Sequence, residues 1–105
     1  MMYAGAIRFL KQAIEACEKN NYAEMARMIV KTQDIINELR STLNFEVGGE
    51  IAHHLEMLYA FITQRLIRGN IEKKPAPLKE ACGILENLNG AWEQAIESLK
   101  RSPKK

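Results

Sequence analysis

Apolar residues recur along this chain at intervals of three and four almost from end to end, and strand-like alternation is nearly absent. In the first stretch Tyr3, Ala6, Leu10, Ala13 and Cys17 form one stripe, thickened by Ile7 and Ile14. This spacing predicts a helix over 2–19. Asn20-Asn21 breaks it, and Asn21 with Glu24 three residues on has the form of a capping box for the next helix. Tyr22, Met25, Ile29, Thr32, Ile36, Leu39 and Leu43 then repeat as an almost strict heptad, which predicts a helix over 22–43. So narrow a seam suits packing at a shallow angle on antiparallel neighbours. Residues 44–49 interrupt the rhythm, and Gly48-Gly49 reads as the turn into a third helix over 50–70. Its stripe is Ile51, Leu55, Leu58, Ile62 and Leu66, with Ala52 and Tyr59 beside it. Gly69-Asn70 is a stop signal. Pro75 and Pro77 frame the start of a fourth helix over 77–100, with Leu78, Cys82, Leu85, Leu88, Trp92, Ala95 and Leu99 on its seam. Four amphipathic helices joined by short connections predict an all-α fold: a single antiparallel up-down-up-down four-helix bundle over 1–100. Residues 101–105 read as a basic, flexible tail.

Composition narrows the functional classes. The 105 residues are 47% hydrophobic and 27% charged, too apolar for a disordered chain and enough for one modest core. The net charge is +2 with acidic and basic residues mixed, and the few aromatics are not interleaved with basic ones, so no nucleic-acid partner is expected. No apolar run approaches the ~20 residues of a membrane span, so no membrane insertion is expected. Cys17 and Cys82 form no CxxC motif and no secretory leader precedes them, which points to reduced thiols and a cytoplasmic location. Both lie on main seams, of helices one and four. Those helices adjoin when the bundle closes, so the two thiols should be near each other, buried and inert.

The histidines invite chemistry. Glu50 and His53 have the ExxH spacing of di-iron bundles, but such a site needs a second ExxH and further carboxylates. The chain has only two histidines, His53 and His54, which point about 100° apart on a helix. A metal site is therefore not expected. A phosphotransfer bundle using His53 or His54 is the alternative reading. Ala52-His53-His54-Leu55 matches the first half of an A-H-x-L-K-G phosphotransfer segment, but Glu56 and Met57 replace its lysine and glycine. An acidic neighbour repels an incoming phosphoryl group. No Ser/His/Asp or Cys/His set and no Gly-rich phosphate loop is present, so no catalytic residue, no cofactor and no enzymatic activity are expected.

Some apolar residues lie off the main seams. Met28 and Ile35 line a second face of helix two, Met57 and Phe61 one of helix three, and Met2 and Phe9 one of helix one. A wide core stripe would account for them singly. Together they exceed what so small a bundle needs facing inward, and methionine suits an adaptable surface. Met28, Ile35, Met57 and Phe61 are the expected groove residues.

Several strings resemble one family. "MMYAGAIRFLKQAIEA" (1–16) is similar to the M-L-Y-D/E-G-A-I-x-F-L opening helix of FliS, the flagellin-specific export chaperone family. "TQDIINEL" (32–39), "GGEIAHHL" (48–55), "LYAFITQRLIRGN" (58–70) and "GAWEQAI" (90–96) resemble its AQDIINEL, GGEIAxNL, LYDYMxRRLxxAN and xAWxxAI. The likeness covers essentially the whole chain, in order. Ala4 and Ala60 replace the family aspartates, His54 its asparagine and Gly69 its alanine. Family members carry a leader ahead of the first motif that often lies over the substrate groove. This sequence opens at the motif, so that leader's gating role is not carried over. Trp92 matches the family tryptophan and reads as a core anchor. The resemblance implies a cytoplasmic antiparallel four-helix bundle without cofactor or metal. Its implied partner is the disordered C-terminal segment of flagellin, held in an apolar groove so that subunits do not polymerise early. Components of the flagellar type III export gate are implied as a further partner.

Overall fold

The computed structural model describes residues 2–101, with the backbone alone at Met2, Trp92 and 94–101. The expected seam residues Trp92, Ala95 and Leu99, the side chain of Met2 on its second face, and tail residues 102–105 lie outside that description. Four helices follow one another: α1 (Met2–Glu18), α2 (Tyr22–Ser41), α3 (Phe45–Glu72) and α4 (Pro75–Arg101). α1 and α3 each pack against α2 and α4, which makes an antiparallel up-down-up-down bundle. None of the described helices is long and apolar enough to cross a membrane.

The connections are short because local chemistry turns the chain sharply. Asn20 takes a left-handed φ of 62°, and the Asn21 side chain accepts from the Glu24 N–H at 3.3 Å, capping α2. Asn44 caps α3 by accepting from the N–H groups of Glu46 and Val47 at 3.0 and 3.1 Å. α3 therefore begins five residues before the expected start at Glu50. It breaks at Gly49 (φ 53°, ψ −124°), where only glycine meets no steric cost. Lys73 ends α3 in the left-handed conformation, with φ 57°.

Polar pairs fix the register of two seams. Between α1 and α4, Lys11 meets Glu86 and Glu18 meets Lys79, both at 3.1 Å. Between α2 and α3, Arg40 meets Glu56 at 3.6 Å and the Gln33 amide donates to the Thr63 hydroxyl at 3.0 Å. In each seam the two pairs stand one heptad apart.

The core is built from the predicted seams of α1, α2 and the first half of α4, including Leu10, Met25, Ile36, Leu78 and Leu85. Burying one such side chain fully contributes about 1.5–3 kcal/mol. α3 departs from expectation. Its buried seam is Ala52, Tyr59, Ile62, Leu66 and Gly69, while Ile51 is 71% exposed and Leu55 and Leu58 are half-buried. The cause lies across the bundle: the hydroxyls of Tyr3 and Tyr59 hydrogen-bond at 2.6 Å in the core. A buried phenol requires a partner, so Tyr59 must face α1, and Ile51 is carried outward. At the other end Gly69 allows close approach of α4. A Cβ there would lie 2.6 Å from Leu78 Cδ2.

Candidate functional site

α3 carries more apolar surface than the bundle consumes. Outside its buried seam stand Val47, Ile51, Met57, Phe61, Ile67 and Ile71, all exposed. An isolated exposed apolar residue is ordinary, but a series along one helix marks a surface that meets something else. Apolar residues on all sides of a helix are expected only where all sides are covered.

Two depressions shape the first half of this surface. One of about 500 Å³ is lined by Glu50, Ile51, His54, Leu55 and Leu58. The other, of about 310 Å³, lies where α2 runs into α3 and includes Leu43, Val47, Ile51 and Leu55. They share Ile51 and Leu55, so they form one apolar trough. Met57 and Phe61 are also exposed on α3, about 120° and 80° round the helix from Ile51. Beyond the Gln33–Thr63 contact, Val30 is exposed one turn away on α2, and Ile67 and Ile71 one and two turns away on α3. Ile51 and Ile71 are about 30 Å apart along the helix axis.

The four expected groove residues are not brought together. Met57 and Phe61 are 69% and 43% exposed on α3. Met28 is 4% exposed and belongs to the core, so in this conformation it presents nothing to a partner. Ile35 is half-buried, with its Cδ1 3.5 Å from where a Cβ on Gly5 would stand. The second face of α2 is thus spent on α1. Phe9 is half-buried between the cations of Arg8 and Lys31, 5.2 and 5.3 Å from its ring centroid. Spacing alone does not single out the trough residues Leu43, Val47, Ile51, Leu55 and Leu58 as binding residues. The signal for them is the excess of apolar positions around α3.

Polar groups frame the surface. Arg65 donates from Nη1 to Glu80 Oε1 at 2.8 Å, and its guanidinium carbon lies 5.3 Å from the Phe61 ring centroid. His53 is exposed and packs against Phe45 with centroids 4.7 Å apart. His54 is exposed at the rim of the trough. Glu56, standing where a phosphotransfer segment has lysine, is paired with Arg40. Among the described residues no group of three or more histidines, cysteines or carboxylates converges as a metal site would need. Cys17 and Cys82 are buried free thiols, and burial pushes both above the ordinary thiol range, away from the reactive thiolate. Burial, and then its shared hydrogen bond with Tyr3, raises the Tyr59 phenol well above its usual range. What remains is a surface suited to covering an apolar segment.

Comparison with known proteins gives this surface a context. The sequence model of the family described as "Flagellar protein FliS" matches residues 1–99. The Flagellar secretion chaperone FliS of Bacillus subtilis is 31% identical over 101 residues, covering 96% of this chain and 74% of that protein. Its counterpart in Vibrio cholerae is 35% identical over 94 residues, covering 90% and 69%. That of Salmonella typhimurium is 33% identical over 95 residues, covering 90% and 70%.

Proposed function

Because the chain belongs to the FliS family of flagellar secretion chaperones, we propose that its partner is the disordered C-terminal segment of flagellin, held on the outer surface of α3. The observation that carries this reading is the set of exposed apolar residues on α3, from Val47 to Ile71, that no described residue covers. A flagellin terminus is amphipathic and unfolded in the monomer. Laying its apolar positions into the Ile51–Leu58 trough and along Met57 and Phe61 hides them from water and from other subunits. Chaperoning of this kind is reversible cover, with no bond made or broken. The complex forms in the cytoplasm, and hand-over at the flagellar export gate completes its task.

The test is direct binding. A fluorescently labelled flagellin C-terminal segment should bind the purified chain with a Kd in the micromolar range or tighter, and compete with an unlabelled copy. No saturable binding at high micromolar concentration would overturn the assignment of flagellin as the partner.

A further inference from the structure

Arg65 stands at the α3–α4 seam beside the proposed binding surface, with a side chain only 17% exposed. Glu80 takes one of its five N–H donors. Nε is buried and, among the described residues, meets no hydrogen-bond acceptor. A buried donor without a partner raises the free energy of the free protein, and that penalty is relieved when an acceptor arrives. The Phe61 ring lies over this guanidinium from one turn earlier on α3, yet is itself 43% exposed. An apolar group seated on α3 in its place would leave Nε–H facing the bound chain.

The chemistry of the acceptor follows from Glu80. That carboxylate already neutralises Arg65, so a second carboxylate arriving at Nε would be repelled by the first. A neutral acceptor is not. A segment bound in extended form, or at the end of a helical turn, offers main-chain carbonyl oxygens with no partner of their own.

We propose that Arg65 is a main-chain clamp: its Nε–H donates to a backbone carbonyl oxygen of the bound segment, next to the apolar group that displaces the Phe61 ring. This rests on the reading of α3 as the seat of a disordered flagellin segment. It adds that the polar contact there recognises the backbone, so it tolerates changes in the segment's side chains and sets where along α3 the chain lies.

The experiment follows the Arg65 Nε–H resonance by nitrogen–proton NMR while the flagellin C-terminal segment is added to saturation. The resonance should move downfield and its exchange with water should slow. Arg65→Lys keeps a cation opposite Glu80 but has no Nε, and should bind roughly tenfold more weakly with an unchanged Tm. The loss should be the same at low and high salt, since no ion pair to the segment is removed. An unmoved Nε–H in a saturated complex, or Arg65→Lys binding like the parent, would overturn the clamp while leaving the chaperone reading intact. A loss that disappears at high salt would mean a carboxylate acceptor and would also overturn it. Absence of any complex with the parent protein would overturn the chaperone reading itself. Should Arg65→Lys fail to fold, the resonance of the parent protein still decides.

Discussion

Two methionines that look alike in the sequence have opposite surroundings. Met28 is packed in the core on the α1 side of α2, and Met57 stands largely in water on α3. Met28→Ala removes most of a buried side chain and leaves a cavity, which costs about 2–4 kcal/mol. Met57→Ala removes nothing the fold uses and should stay within about 0.5 kcal/mol. Urea melts of the two variants check this pair of outcomes. Equal costs would mean that Met57 is held by the fold or that Met28 is free of it. Spacing could not separate them, because each lies seven or four residues from a second apolar partner on its own helix. What separates them is that α1 approaches closely at Gly5 and takes up the second face of α2, whereas nothing among the described residues takes up that of α3.

The same contrast decides what a whole helix reveals. α1 and α2 each have one dominant apolar seam, so a step of three and four finds it directly even though Phe9, Met28 and Ile35 add a second face beside it. α3 has apolar residues nearly all round, and the pattern then has two solutions, one through Ile51 and Leu58 and one through Ala52 and Tyr59. The choice between them is made by the Tyr3–Tyr59 hydrogen bond, which joins residues 56 positions apart and leaves no trace in local spacing. The five residues that α3 gains ahead of Glu50 are hidden from the pattern for a related reason. Asn44 is a capping residue, but the glycine pair behind it looks like the end of a loop rather than a break inside a helix. If the outer face of α3 is the binding element, Phe61→Ser should weaken capture of the flagellin segment by ~1–3 kcal/mol with a smaller loss of fold stability. Matching losses in affinity and in thermal melts would instead make Phe61 part of the packing.

For the molecule as a whole, alkaline conditions should be the weak side. Cys17, Cys82 and Tyr59 all have ionisations pushed upward, chiefly by burial. A group that holds its proton more tightly when folded contributes stability that is complete below its unfolded value and is lost as pH rises past it. The ordinary values here are 9.0 for the thiols and 10.0 for the phenol. Tm should therefore be flat with respect to these groups below about pH 8.5 and fall above it. Replacing both cysteines by alanine should make that fall shallower. The same slope in parent and variant would show that the thiols are not sealed from water. The α1–α4 seam has a bearing on how the chain finds this arrangement at all. A repeat of apolar residues every seven positions fits nearly as well if one helix slides by a heptad, so packing alone leaves the sliding error cheap. Lys11 faces Glu86, and seven residues on Glu18 faces Lys79, with the signs exchanged. Sliding α4 one way sets Lys11 against Lys79, and sliding it the other way sets Glu18 against Glu86. Each exposed pair is worth only a few tenths of a kcal/mol in the native state. Misaligned bundles lose them: one slide leaves a Lys11–Lys79 repulsion and takes Glu18 past the start of α4, and the other sets a Glu18–Glu86 repulsion against a Lys11–Glu93 attraction. Only the native alignment keeps two attractions, so two weak surface contacts act as a vernier on the core.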